Sequence, residues 1–431
     1  MKEILWEWNP WWEREYNFSG IPRDITAKIK EWIPRKEIIA VLGVRRSGKT
    51  TILEEVIGYL LHQQKVSADN ILFIKADDER VEKKDFINSV LQEYQRWKNP
   101  QGKVFIFIDE IQEIENWEKT IKRIYDLEHA TKKIFISGSN AFLLREELSS
   151  LLVGRFAYFE VYPFSFAEFL RKYNLIITLE EELIKHRQDL SRYLVEYLSY
   201  GGFPEVVLEE KVSQKEELLR FYFDSMVFRD VIKRQKIRNP DKLAKLIEWC
   251  LQNVAVPVNF TKLGEYTGLN VGSVGEYTYY LEQAYLLFVI NLFAYSLKKQ
   301  YINPKKLYAV DPGLRRRVGF TIIGDKGRIY ENAVFLELKR RKKEIYYWKN
   351  EQECDFVVKE GAKIRQAIQV CSDVHPENEQ REVAGLLKAL HEFHLSEGII
   401  ITQDVEKEFL IERKKVYFLP LWKWLLREGL E

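Results

Sequence analysis

Five short apolar runs punctuate the first 162 residues. They are Glu37-Ile-Ile-Ala-Val-Leu-Gly43, Asn70-Ile-Leu-Phe-Ile-Lys-Ala76, Val104-Phe-Ile-Phe-Ile108, Lys133-Ile-Phe-Ile-Ser137 and Phe156-Ala-Tyr-Phe-Glu-Val-Tyr162. Each is rich in β-branched or aromatic residues and lacks polar alternation, the pattern of a strand buried on both faces. Mixed apolar and polar segments of helical period separate them, so the pattern predicts an α/β unit with a parallel sheet of about five strands. Beyond it, helical periodicity runs from Glu181 to Lys236, broken at Gly201-Gly202-Phe203-Pro204, and includes a predicted helix over Phe221 to Lys233. Three further helices are predicted over Asp241 to Gln252, Thr261 to Thr267 and Val271 to Glu282, followed by a strand at Leu286 to Leu292.

Where the first strand ends, Gly43-Val44-Arg45-Arg46-Ser47-Gly48-Lys49-Thr50 fits GxxxxGK[ST], and Thr51 continues into a helix. Glycines there let backbone N–H groups wrap phosphate oxygens, and the helix presents its positive end to the same charge. Lys49 is expected to reach the β- and γ-phosphates, and Thr50 to offer a hydroxyl to Mg2+. The third apolar run ends in Asp109-Glu110, at the strand edge where α/β sheets bind ligands. Asp109 is expected to hold Mg2+ and Glu110 to orient or deprotonate the attacking water. The fourth run leads into Gly138-Ser139-Asn140, where Ser139, preferred over Ser137, either senses the γ-phosphate or caps a helix near Ala141. Arg155, just before the last strand, serves either as an arginine finger on a neighbouring subunit's ATP or as a surface ion pair.

Together GVRRSGKTT, FIFIDEIQ, ISGSN and GRFAYFEVYPFSFAEF resemble the AAA+ superfamily, and within it the archaeal and bacterial ATPases that carry a winged helix and a C-terminal PD-(D/E)XK nuclease-like domain. The resemblance implies an aromatic N-terminal arm at 1–22, an ATPase core at 23–170, a helical lid at 171–238, a winged-helix domain at 239–325 and an α/β restriction-nuclease-like domain at 326–431. It implies adenine contacts from Pro204 and Phe203, a phosphate-sensing Arg229, and assembly into homo-oligomers. A plain interhelical turn explains the GGFP run equally well. Glu331, Asp355 and the run Ala367-Ile-Gln369-Val-Cys371 resemble the nuclease framework, but Gln369 and Cys371 stand where the pattern has Glu and Lys. A site without that acid and that lysine is expected to be inactive.

Composition narrows the classes without naming a pathway. Of 431 residues, 46% are hydrophobic and 31% charged, which fits a globular chain of several domains rather than a disordered one. Three separated cysteines without CxxC spacing suit a reducing compartment, and Glu3, Glu7, Glu13 and Glu15 interrupt the N-terminal apolar residues, so a cytoplasmic protein with no membrane span is expected. The net charge of +2 hides a basic stretch: Lys298 to Lys343 holds fourteen Lys or Arg against four acids, interleaved with Tyr301, Tyr308, Phe320 and Tyr330. That stretch either contacts DNA or is a solvated face. The segment from Gly264 to Leu297 has no Lys or Arg, so base reading by the third helix is not expected. Three functions compete: an ATPase coupling turnover of ATP to ADP to movement, a slow nucleotide-gated switch or scaffold, and an ATP-regulated nuclease.

Overall fold

The five apolar runs form one parallel sheet in the order β2-β3-β4-β1-β5, with β1 Ile38–Gly43, β2 Ile71–Lys75, β3 Val104–Asp109, β4 Lys132–Gly138 and β5 Phe156–Val161. The computed structural model describes residues 1–80, 85–139, 154–318 and 326–426. It divides into two units, one of Met1–Tyr162 with Gln283–Tyr285 and the other of Pro163–Glu282 with Leu286–Glu431. In the first unit β1 and β3 are buried along their whole length, because helices cover both faces of a parallel sheet. Parallel pairing brings the C-terminal ends of all five strands to one edge, with Lys75 opposite Asp109, Leu42 opposite Gly138 and Gly43 opposite Val161.

The N-terminal arm packs into this unit's core. Strand β2 lies at the sheet edge, where unpaired backbone groups need partners. The buried Asn9 supplies them: its amide donates to the Phe73 carbonyl at 2.9 Å and accepts from the Phe73 N–H at 2.6 Å. Trp11 Nε1 donates to the Ile71 carbonyl at 3.2 Å, while Trp12 stacks on Tyr94 and lies edge-on to Trp97. The tryptophans therefore protect an edge and fill the core.

In the second unit the GGFP run is held by Asp311. Gly202 N–H and Gly313 N–H donate to the two Asp311 carboxylate oxygens at 2.7 and 2.8 Å. Gly201 has φ +78°, and a Cβ there would lie 1.7 Å from an Asp311 oxygen, so only glycine fits. Phe203 is fully buried, edge-on to Tyr222. Its ring belongs to the core of this unit. The helix expected over Phe221 to Lys233 lies within a longer helical run, in which the α-helix Val212–Ser225 widens into a π-helix, Met226–Lys233.

Helices Pro240–Gln252, Phe260–Thr267 and Val271–Gln283 precede an antiparallel ribbon of β6 Leu287–Asn291 and β7 Lys305–Ala309. Val258, between the first two helices, bridges to Lys305 in β7. A six-stranded mixed sheet follows in the order β12-β13-β11-β10-β9-β8, comprising β8 Glu344–Lys349, β9 Glu353–Glu360, β10 Lys363–Val370, β11 Glu397–Thr402, β12 Lys407–Ile411 and β13 Lys414–Pro420. Helix Pro376–Glu392 connects the parallel strands β10 and β11 and buries Val383, Leu386, Ala389 and Leu390 in a core shared with Val357, Ala367, Ile400 and Phe418. The chain just after β6 joins this sheet through a bridge from Leu292 to Tyr347, and on helix Lys326–Arg340 the Asn332 side chain exchanges hydrogen bonds with the Ala309 backbone of β7 at 2.8 and 3.1 Å. No helix among the described residues is long and apolar enough to cross a membrane.

Candidate functional site

The loop between β1 and helix Lys49–His62 lies at the C-terminal edge of the first sheet. A Cβ on Gly43 would meet the Val161 carbonyl at 2.0 Å, and Gly48 turns the chain with φ +90° into the helix. Lys49 is buried; its ammonium donates to the Val44 carbonyl at 3.1 Å and lies 3.7 Å from Glu110 Oε1. Thr50 Oγ1 donates to Asp109 Oδ2 at 2.7 Å, and Ser137 Oγ donates to the other Asp109 oxygen. Glu110 N–H donates to Ser137 Oγ at 2.9 Å, while Gln112 Nε2 donates to both Glu110 Oε2 and Ser139 Oγ. Residues from three separate sequence segments thus meet at one sheet edge.

The two adjacent acids are electrostatically unlike. Burial and the neighbouring Glu110 charge raise the Asp109 pKa above the usual carboxylate range, against the hydrogen bonds from Ser137 and Thr50 and the Lys49 charge. For Glu110 burial also acts upward, but the Lys49 and Arg45 charges and the Gln112 and Ser139 hydrogen bonds outweigh it and leave the pKa lowered. One edge therefore presents an ionised carboxylate beside an acid that gains from a positive counter-charge.

Two supporting residues were given no role by the sequence. Arg23 is buried, and its guanidinium donates to the Ser47 carbonyl in the loop and to the Tyr162 carbonyl after β5, both at 2.7 Å. Gln112 holds the Glu110 carboxylate from three residues past Asp109. Ser137, ranked behind Ser139 by the sequence argument, is the serine that bonds Asp109; Ser139 lies beside Gln112. Asn140 and Ala141 lie outside the described residues. Arg155 sits at the opposite end of β5, with Nε 2.8 Å from Asp126 Oδ1. Six residues of strand at roughly 3.3 Å each hold it about 20 Å from its own loop. Pro204 opens helix Pro204–Leu208 and Arg229 is exposed on the π-helix, both in the second unit.

The acids singled out between Glu331 and Asp355 also converge. Glu331 and Asp355 both contact the Lys306 ammonium, at 2.7 and 3.1 Å, and Glu353 contacts it at 2.8 Å. Gln369 Oε1 accepts from the Asp355 N–H at 3.2 Å and its Nε2 donates to Glu382 at 2.7 Å; the Cys371 thiol faces the Asp373 carbonyl. The Gln369 carbonyl is therefore already engaged. Burial and the Asp355 charge push the Glu331 pKa up to about 8, against the pull of Lys306.

The basic stretch divides on inspection. Lys306 and Arg315 are buried, the latter donating to the Leu251 carbonyl at 3.0 Å. Arg340 donates to the Pro163 and Phe164 carbonyls, Arg316 pairs with Glu216, Arg341 with Glu337 and Lys343 with Glu360. Many cations of the stretch serve the second unit's own acids and carbonyls. Lys298 and Lys299 are exposed on the short helix Leu297–Ile302, beside the exposed Tyr295 and Tyr301, and Phe320 lies outside the described residues.

Residues 35–170 match the family described as an AAA domain, and residues 191–322 and 326–424 match two domains of unknown function, DUF8612 and DUF4143. The uncharacterized protein MJ1544 of Methanocaldococcus jannaschii is 33% identical over 430 residues, covering 94% of this chain and 91% of the relative. The chain belongs to the family of MJ1544. A Haemophilus influenzae member, also uncharacterized, is 31% identical, covering 89% of this chain and 94% of its own. The Walker-type ATPase PABY2304 of Pyrococcus abyssi is similar in structure, with a TM-score of 0.45 and 12% identity over 70% of this chain and 96% of that one. The AAA-domain match over residues 35–170 and the sheet edge described above give this part of the chain the P-loop fold of AAA+ ATPases.

Proposed function

We propose that this protein hydrolyses ATP with Mg2+ and couples turnover to rearrangement of its second unit. The observation that carries the reading is the juxtaposition of Thr50, Asp109 and Ser137 with Lys49 and Glu110 at one sheet edge. The hydroxyl of Thr50 and the carboxylate of Asp109 are hard oxygen donors, which fits a magnesium ion. That ion, when bound, neutralises charge on the phosphates. Amides of Gly43, Val44, Arg45, Arg46, Ser47, Gly48, Lys49, Thr50 and Thr51 supply the phosphate cradle, and the Lys49 ammonium exchanges the Val44 carbonyl for phosphate oxygens. Glu110 receives the proton of the attacking water, with Gln112 and Lys49 fixing its carboxylate. Ser139 stands one hydrogen bond from that carboxylate's partner and serves as γ-phosphate sensor.

The finer assignments belong to the same proposal. Arg155 acts in trans in a homo-oligomer, and Pro204 and Arg229 serve as lid contacts to nucleotide. The order of three helices, a bridge at Val258 and the β6–β7 ribbon supports a winged-helix module. The grouping of Glu331, Asp355 and Gln369 supports a nuclease-like domain without cleavage. DNA contact falls to Lys298 and Lys299 at the ribbon's tip, since phosphate contacts need exposed cations.

Steady-state phosphate release tests the reading. Glu110→Gln is expected to lower turnover by roughly 10²- to 10⁴-fold while ATP binding persists. Turnover equal to the parent would remove Glu110 from the chemistry. Lys298→Ala with Lys299→Ala is expected to weaken duplex binding and flatten its salt dependence; unchanged binding would assign DNA elsewhere.

A further inference from the structure

The second unit keeps a carboxylate cluster whose centre is filled by a side chain. Lys306 is 1% exposed and reaches the cluster from β7, whereas Glu331 comes from helix Lys326–Arg340 and Glu353 and Asp355 from β9. An ammonium has three N–H groups, and three carboxylates surround this one at 2.7, 2.8 and 3.1 Å. The remaining contacts are also assigned. Tyr308 donates to Glu331 at 2.8 Å, the Val370 N–H donates to Asp355 at 2.9 Å, and Lys349 lies 3.6 Å from Glu353.

We infer that Lys306 is the resident cation of this cluster, standing where a divalent metal would otherwise be held. The C-terminal sheet therefore needs no metal and is stapled to the β6–β7 ribbon instead. Magnesium requires several oxygens at about 2.0–2.1 Å. The carboxylates here lie at ammonium distances from a nitrogen already among them, so ion and ammonium compete for one volume. The choice of a lysine on β7 has a mechanical consequence. A diffusible ion would join Glu331 to β9 alone, but a tethered ammonium also fixes the ribbon, alongside the Asn332–Ala309 hydrogen bonds. Ribbon and sheet are thereby fixed to one another.

The inference deepens the proposed inactivity of the nuclease-like domain and is independent of the nucleotide site. Nucleotide-free, full-length protein is titrated with Mn2+ and the free ion is followed by electron paramagnetic resonance. The parent is expected to show no Asp355-dependent binding at millimolar Mn2+. Lys306→Ala is expected to gain one site, about tenfold tighter or more, that Lys306→Ala with Asp355→Asn loses again. Asp355-dependent Mn2+ binding by the parent, or a folded Lys306→Ala protein with no gain, would overturn it. If Lys306→Ala does not fold, the combination Lys306→Met, Glu331→Gln and Asp355→Asn is expected to restore folding, because the two buried carboxylates are then neutral and the partly exposed Glu353 keeps Lys349 as its counter-charge. Failure of that combination to fold would also overturn the inference. ATP binding on the same variants separates this result from the nucleotide reading, which predicts no change there.

Discussion

Replacing Arg23 by methionine keeps the aliphatic stem of a buried side chain and removes its guanidinium. The hydrogen bonds to the Ser47 and Tyr162 carbonyls, each at 2.7 Å, are lost. A hydrogen bond to a charged group contributes roughly 1.5–3 kcal/mol, and the carbonyls left behind lose a buried donor. The expected destabilisation of the first unit is therefore about 3 kcal/mol or more. Urea unfolding should show it as a lower midpoint at unchanged slope. Ser47 belongs to the phosphate loop and Tyr162 follows β5, so the same change loosens the loop against the sheet and is expected to weaken ATP binding. Arg23→Lys, which places one compact donor where a planar fork bridged two acceptors, should fall between. An Arg23→Met protein with the parent's midpoint and ATP affinity would refute the view that this guanidinium holds the loop.

Gly201→Ala places a methyl 1.7 Å from an Asp311 oxygen at φ +78°. Its expected cost is about 4 kcal/mol or more, seen as insoluble or unfolded protein in circular dichroism; a normally stable variant would contradict the tight packing of the GGFP run. Burial raises the Asp311 pKa to about 7 despite the Gly202 and Gly313 N–H groups and the Arg340 charge. The folded state then binds this proton more tightly than the unfolded one. Its stabilising contribution is full below about pH 4 and is lost as pH rises toward 7. Unfolding free energies across that window should fall less steeply in Asp311→Asn, and equal slopes would exclude Asp311 as the titrating group.

The core of the nucleotide site was legible because its signals are local. Strands β1, β3 and β4 are continuous apolar runs, and the residues that end them announce their chemistry within a few positions. Parallel pairing alone then gathers Thr50, Asp109 and Ser137. Arg23 was not legible, because its acceptors lie 24 and 139 residues away and an arginine before a helix carries no sign of burial. Lys306 was read as one cation in a basic run. Its burial depends on Glu331 and Asp355, 25 and 49 residues further on, and only the packing of β7 beside helix Lys326–Arg340 and β9 reveals it. Charge counted along the chain therefore overstated the surface available to DNA. The packing of Phe203 is equally non-local, since its neighbour Tyr222 belongs to another helix.

Calorimetric titration of the full chain with ATP and Mg2+ tests the central claim most directly. The account predicts one saturable site per chain in the parent and none in Lys49→Ala at matched stability. A folded parent that gives no binding heat with ATP or ADP at several temperatures, and no nucleotide-dependent shift in melting, would contradict it.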